Sequence, residues 1–579
     1  MPSRAYWKTN DIRHHIDVAS NKVAPTLWLK HATFLHPYVN KWVKGNIWIH
    51  KDRIIYVGDK EPQVSEETEV YDCSGLYLVP GYIEPHAHPF QLYNPHSLAK
   101  YVSQSGTTTL VCDNLLLLLQ FDKKKAFSFL KDMQTHPVQF FWWARFDLQT
   151  EIKEEERILA PEVIKEWINH PAVIQGGELT GWPKLLAGDD LYLHWMNETK
   201  RAGKRIEGHF PGASETTLAK MKLFGADCDH EAMTGEEVYK RLLNGYTVSL
   251  RHSSIRPDLK NILRDLLKLG VTRFDEMFFN TDGSTPNFYR EGMMNQALDI
   301  AIQEGVPEFE AYKMASYNIA KYYELDSLLG VIAPGRLASI NFLNSPKNPH
   351  PVSVLAKGKW IKKDEKIQHV FSEMNWDQYD VKPMDIQWDL TSDDLQFSMP
   401  MGLKMRNAVI MEPYSITIDN SKDELSTDHD ESFLVLIDKE GKWRINTLLK
   451  GFAKSVKGFA SSYSTTGDII LIGKRKDDIL KAFYRLKELG GGIVLVEDGE
   501  VLHEIPLHIN GIASMKDFEH ILDEERILDR LLRERGYPFS DVIYSLLFLS
   551  STHLPYIRIT PEGIFDVMKK TILFPSIMR

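Results

Sequence analysis

L-V-P-G-Y-I-E-P-H-A-H-P-F-Q-L-Y-N-P, residues 78–95, sets the frame in which the rest of the chain is read. A short apolar run punctuated by Pro80 and Gly81 leads into Tyr82 and Ile83, and His86 and His88 close it. Residues i and i+2 of a β-strand project from the same face, so one strand end can aim both imidazoles at a common point. That is the geometry of paired metal ligands. Two unrelated loop histidines would be the plain alternative, and the segments downstream decide between the two readings.

Downstream, short apolar segments recur at Thr109 to Cys112, Val138 to Trp143, Ala172 to Gln175, Arg205 to Gly208, Ala226 to Asp229 and Thr247 to Arg251, with a longer one at Val271 to Phe279. Stretches of helical periodicity such as Pro161 to Asn169 and Leu191 to Ala202 separate most of them. Strand and helix alternating over about 250 residues predict an α/β fold, a (β/α)8 TIM barrel over residues 80–330. A doubly wound open sheet is the competing arrangement. A barrel carries its chemistry at the C-terminal strand ends, and ligand-type side chains stand there in series. His86 and His88 end the first strand, Glu178 the fourth and His209 the fifth, and His230 and Asp282 follow. Four histidines and two carboxylates could hold two divalent ions about 3.5 Å apart. Taken singly, Glu178 could be a helix N-terminal charge, and His209 or His230 a hydrogen-bonded loop histidine.

Both flanks of this region have the texture of antiparallel strands, which predicts a small β-sandwich built from residues 25–79 and 331–370. Residues 371–400 read as a polar connector, and 400–579 as a C-terminal α/β domain with a helix from Lys474 to Leu489 stopped at Gly490. Residues 516–541 have the pattern of an amphipathic surface helix. The apolar run from Asp541 to Ser551 reads first as a buried helix and second as a subunit contact, which leaves a homo-oligomer open. Residues 1–20 are a polar arm or small helix. Arg4 and Lys8 are followed by no apolar segment of the signal-peptide kind, and Leu115 to Leu119 is too short to cross a bilayer.

Of 579 residues, 43% are hydrophobic and 26% charged, the composition of an ordinary globular protein. A formal net charge of -10 argues against nonspecific attraction to nucleic acid or an anionic membrane and by itself points to no particular partner. Only Cys73, Cys112 and Cys228 are present, with no C-x-x-C pair, which fits the cytoplasm.

Val79 to His88, Gly176 to Leu179, Gly208 to Gly212, Asp229 to Glu231, Thr281-Asp282, Ala311 to Ala320 and the late segment Gly490 to Met515 together resemble the adenine deaminases of the amidohydrolase superfamily. The resemblance implies a barrel, a flanking β-sandwich and a C-terminal α/β domain. It places His86, His88, Glu178, His209, His230 and Asp282 on the metal ligands, with Glu178 bridging, and two manganese or iron ions as cofactor, with zinc an alternative. It makes Asp282 the proton acceptor from the attacking hydroxide and Glu231 the group that handles a proton on the purine ring or leaving amine.

Phe90, Arg251, His252 and Gly283 fall at positions expected to face the substrate, and three of them depart from the family pattern. Pro89-Phe90 replaces Glu-Ser, Thr281-Asp282-Gly283 replaces Thr-Asp-Asp, and Arg251-His252 stands for Arg-Glu; Tyr463 to Gly467 replaces His-Asp-Ser-His-Asn. If these positions face the purine, restoring an aspartate at Gly283 is expected to raise turnover of adenine. The leading expectation is therefore an aminohydrolase converting adenine and water to hypoxanthine and ammonia. The departures also suit an N6-substituted purine, another heterocyclic amine or a cyclic amide as substrate, and a non-catalytic metal-binding module is the reading from a different class.

Overall fold

A computed structural model describes residues 7–152 and 155–579. The first six residues, Arg4 among them, lie outside it. At its centre eight strands run parallel and in sequence order: Tyr82–Ala87, Thr107–Cys112, Gln139–Ala144, Val173–Leu179, Arg205–Gly208, Cys228–Asp229, Thr247–Arg251 and Met277–Asn280. The last strand lies beside the first, so the sheet curls into a nearly closed barrel rather than spreading as an open sheet. Residues 271–276 of the expected long segment are a loop, in which Arg273 pairs with Asp275 at the surface, and the strand begins only at Met277.

Burial explains why these strands read as continuous apolar runs. Phe140, Trp142 and Ala144 face one side of their strand and Phe141 and Trp143 the other, yet none is more than 4% exposed, because a barrel strand has packed side chains inside and helices outside. Gly81, where the chain enters the barrel, admits no side chain: a Cβ there would meet Thr108 Oγ1 at 2.1 Å. The helix Pro161–Asn169 takes its start from a proline in the first turn and buries Ile164, Trp167 and Ile168 on one face.

Strands from before and after the barrel share one nine-stranded sheet, in which Tyr77–Pro80 pairs with Ile340–Leu343. A helix, Thr9–Ala19, precedes it. Residues 371–400 are irregular apart from two 3-10 turns. Beyond them a second nine-stranded sheet is buried on both faces, as the alternation of its strand Glu431–Ile437 dictates. Phe433, Val435 and Ile437 pack with Ile479, Ala482, Phe483 and Leu486 of the helix Lys476–Leu489, which ends at Gly490 with φ 72°. Leu434 and Leu436 pack on the other side with Ile521, Leu528 and Leu532 of the helix Phe518–Glu534 and with the short helix Val542–Phe548. A three-stranded sheet, Ile557–Thr560, Gly563–Asp566 and Thr571–Pro575, lies beside it. No helix among the described residues is long and apolar enough to cross a membrane.

The C-terminal part is tied onto the barrel mouth by backbone contacts. Ser514 N donates to Leu92 O at 2.6 Å and Thr552 N to Gln149 O at 2.9 Å. Asn94 Nδ2 donates to Ser514 O at 2.8 Å, and Thr150 Oγ1 to Ser550 O at 2.7 Å. These contacts set a wall opposite the strand ends.

Candidate active site

His86, His88, Glu178, His209, His230 and Asp282, from five strand ends, converge on one point. Three overlapping groups bring their ligand atoms within 4.8 Å of one another: His86 with His230 and Asp282, His86 with His88 and Glu178, and Glu178 with His209 and His230. His86, Glu178 and His230 belong to two groups each, which makes them the centre of the cluster. Asp282 turns the chain with φ 51°, a left-handed conformation that aspartate tolerates. Its Oδ1 lies 3.1 Å from His88 Nε2.

The cluster fits divalent cations. His86 Nε2 and Glu178 Oε2 lie 3.0 Å apart, yet both atoms are buried without a hydrogen-bond partner. Two atoms so placed satisfy each other poorly and a shared cation well. Around the cluster the carboxylates of Glu178, Asp282, Glu231 and Asp113 face the guanidiniums of Arg145, Arg251 and Arg256, and that of Glu207 faces His230. The negative excess is what bound cations would neutralise.

Groups behind the cluster hold it in shape. Glu207 Oε1 lies 3.1 Å from His230 Nδ1 and 3.5 Å from His86 Nδ1, so one carboxylate orients two imidazoles. Asp113 Oδ2 lies 3.0 Å from His88 Nδ1 and accepts from Arg145 Nη2 at 2.7 Å. Arg145 reaches on to Glu178 Oε1 at 3.3 Å, to which Gln149 Nε2 also donates, at 2.9 Å. Partners of this kind fix tautomer and ring orientation. Sequence reasoning missed them, although Asp113 and Arg145 directly follow the second and third strands and Glu207 shares a strand face with His209. The rule that found the other groups applied to these as well.

Burial favours neutral groups here, and the local charges override it. Burial opposes ionising Asp282 and Glu178, but Arg251 and His86 beside the first, and Arg145 and His209 beside the second, hold both carboxyls well below the usual range. Glu231 is likewise held down to about 2, against burial, by His209, Arg251 and Arg256. Burial pulls the other way on His88, yet Asp113 and Asp282 push it up to about 9.

Glu231 sits among the ligands, with Oε1 3.5 Å from His230 Nε2 and 3.7 Å from His209 Nδ1. Arg251 Nη1 donates to Glu231 Oε1 at 2.6 Å and lies 2.9 Å from Asp282 Oδ2, so one nitrogen spans the two carboxylates. Arg256, with no signal in the sequence, holds the other oxygen of Glu231 at 2.5 Å.

The site opens into a cavity of about 1290 Å³. Phe90 and Arg251 line it. His252 and Gly283 are not among its lining residues, and for physical reasons. His252 follows Arg251 at a strand end, so it points to the opposite face, where its ring packs 5.2 Å from Phe288. Gly283 is covered: a Cβ there would stand 1.9 Å from Tyr544 Oη, which removes the room assumed for an aspartate. The far wall, including Tyr463, Thr465, Tyr544, Phe548 and His553, comes from the C-terminal part. His553, 5.6 Å from His209 ring to ring, is pushed down to about 3 by burial. Nothing local in the sequence points to it.

Comparison with known proteins shows the family. Residues 77–373 match the Amidohydrolase family and residues 409–571 the Adenine deaminase C-terminal domain. The chain is 61% identical to "Putative adenine deaminase YerA" of Bacillus subtilis strain 168, over 100% of both chains. It is 55% identical to "Putative adenine deaminase BH0637" of Halalkalibacterium halodurans, over 99% of each. It is 27% identical to "Adenine deaminase" of Bacillus velezensis, over 93% of this chain and 95% of that one. Among solved structures, a β-aspartyl dipeptidase of Fervidobacterium islandicum AW-1 matches 60% of this chain and 99% of its own, at 17% identity and a TM-score of 0.46. On the family matches and full-length relatives, the chain belongs to the adenine deaminase family of amidohydrolases.

Proposed function

We propose that this protein deaminates adenine hydrolytically, taking up one water and releasing hypoxanthine and ammonia. The observation that carries the reading is the convergence of six ligand-type side chains, Asp282 among them, beside Glu231, with the carboxylates of Asp282 and Glu231 joined through Arg251. The names of the relatives support the choice of adenine. His86, His88, Glu178, His209, His230 and Asp282 would hold two divalent ions. Imidazoles and carboxylates suit manganese or iron, and zinc as well. Such ions, when bound, lower the pKa of a coordinated water toward neutrality.

The chain's own groups then divide the proton work. Asp282, ionised and beside the ligands, accepts the proton of the attacking water. Glu231 starts ionised, so it must gain a proton before giving one to the ring nitrogen or the departing amine. Its place beside Arg251 and the ligands suits a shuttle. Arg251 and Arg256 keep it in one position through both steps. The buried, unpaired Cys73, Cys112 and Cys228 support a reducing compartment, the cytoplasm.

Cavity size favours a second reading in which the purine bears a substituent on its exocyclic nitrogen. About 1290 Å³ exceeds the roughly 300–1,000 Å³ usual for small-molecule sites, and Leu115, Leu116, Leu547 and Phe565 give it apolar walls. Metal-reconstituted protein assayed for amine release from adenine, N6-methyladenine, adenosine, guanine, cytosine and cyclic amides tests both. Ammonia from adenine supports the first reading and methylamine preferred over ammonia the second. Opening of a cyclic amide alone would overturn both.

A further inference from the structure

The barrel leaves a gap in its own site at Gly283, and the C-terminal part fills it. A Cβ on Gly283 would stand 1.9 Å from Tyr544 Oη, and the next nearest atoms are in the His88 ring and Cβ at 3.1 and 3.2 Å. The phenol oxygen therefore occupies the space a side chain would take, directly beside Asp282 and against a ligand histidine. Tyr544 belongs to the helix Val542–Phe548, whose first turn is fixed by Asp541 Oδ1 accepting from Tyr544 N at 2.9 Å.

Three polar side chains of this wall reach the cavity near that point, and two of them are already engaged. Tyr463 Oη donates to Gln91 Oε1, and Thr465 Oγ1 to Leu547 O at 3.2 Å. Tyr544 is 4% exposed and lines the cavity, yet its hydroxyl makes no hydrogen bond to any described residue. Buried tyrosine hydroxyls ordinarily find a partner. One that has none in the protein, at the edge of a reaction site, is placed to find it in the substrate.

We propose that Tyr544 determines specificity in this site: its hydroxyl replaces, from the opposite wall, the polar side chain the barrel lacks at Gly283, and hydrogen-bonds a ring nitrogen of the heteroaromatic substrate. The inference rests on the purine aminohydrolase reading above. It explains why a glycine and a tyrosine more than 250 residues apart go together: neither a side chain at 283 nor a displaced phenol is compatible with the other.

Tyr544→Phe in metal-loaded full-length enzyme removes one oxygen and little else. We expect kcat/KM for the preferred purine to fall about three- to tenfold, the range for one lost neutral hydrogen bond, carried mostly by KM. Calorimetric binding of hypoxanthine should weaken in parallel, with metal content and Tm unchanged. Gly283→Ala should lower both Tm and turnover, and Gly283→Ala with Tyr544→Phe should regain most of the lost Tm, since the 1.9 Å contact is to the oxygen and only the His88 contacts at 3.1 and 3.2 Å remain. Tyr544→Phe with kcat/KM and hypoxanthine binding within about twofold of wild type would overturn the proposal, as would a double variant no more stable than Gly283→Ala. Wild-type enzyme that turns over no purine would break the parent reading and this one with it; turnover by wild type with an indifferent Tyr544→Phe breaks this one alone.

Discussion

The two walls of the cavity are built on opposite principles. Around the candidate ligands the barrel wall is a lattice of charges, in which His88 is held by Asp113 and Asp113 by Arg145. The C-terminal wall is, apart from Lys570, apolar side chains and neutral polar groups, among them Tyr544 and a His553 that burial keeps uncharged. A charged lattice fixes cations and moves protons, tasks any substrate of the reaction class requires. A neutral wall shapes the space around one particular ring. If the proposed roles hold, reactivity rests on the barrel while recognition is shared by barrel residues such as Phe90 and Arg251 and the C-terminal wall, and changing that wall should leave the charged groups largely in place.

The largest effect should come from emptying the barrel wall. His86→Ala with His88→Ala removes two of six ligands and is expected to strip at least one ion and cut turnover by about 10³-fold or more, given that a bound ion supplies several kcal/mol of stabilisation. Circular dichroism should stay native, because the apolar core beneath the ligands is untouched. Elemental analysis of the wild-type protein showing no metal after manganese or iron reconstitution would end the charged-lattice picture.

Glu231→Gln should lower kcat by about 10² to 10⁴, the usual range for a positioned proton-transfer group, with both ions retained. Unchanged activity at full metal content would make Glu231 a structural anchor for Arg251 and Arg256 only. Glu207→Gln touches no substrate and should act through His86 and His230, costing about 10- to 100-fold in metal affinity or activity. Restoring activity at high metal concentration would distinguish that route from a direct role.

In the C-terminal part, behind its wall, the smallest effect is expected, in stability rather than rate. Glu525, buried in the helix Phe518–Glu534, accepts from Asn287 N at 2.6 Å; burial first, and Asp541 second, push it up to about 8. A carboxyl raised above its unfolded value of 4.5 costs the fold nothing below that pH and destabilises it increasingly as pH climbs toward 8. Glu525→Gln, which keeps an acceptor for Asn287, should therefore raise Tm by a few degrees at pH 8 and by much less at pH 5. An equal shift at both pH values would mean that Glu525 is ionised in the native protein.

The same contrast governs what the sequence discloses. Strand ends are local signals: His86 and His88 two apart after an apolar run, or His230 after Ala226 to Asp229, are read from neighbours alone, and the barrel follows from their repetition. Asp113, Arg145 and Glu207 were equally local and were passed over because a lone charge at a strand end has no distinctive spacing. His252 illustrates the cost of reading residue types without strand parity, since its neighbour Arg251 had already taken the inward face. Tyr544 and His553 are a different case. Their positions depend on how a helix and a loop more than 250 residues downstream settle onto the barrel, and no periodicity in their own segments carries that information. Gly283 looked like a loss for the same reason, because what fills its space lies in another part of the chain.

That division has a consequence for how the protein is made. Every ligand up to Asp282 precedes the connector, whereas Tyr544 and His553 leave the ribosome some 260 to 270 residues later. At the usual pace of translation, about 5–20 residues per second, this is an interval on the order of 10–50 s. During it the nascent chain already holds all six candidate ligands, while the wall proposed to select the substrate has not been synthesised. Metal loading and substrate selection are in this sense separated in time as well as in space, and a chain stalled after the barrel would carry the chemistry without the discrimination.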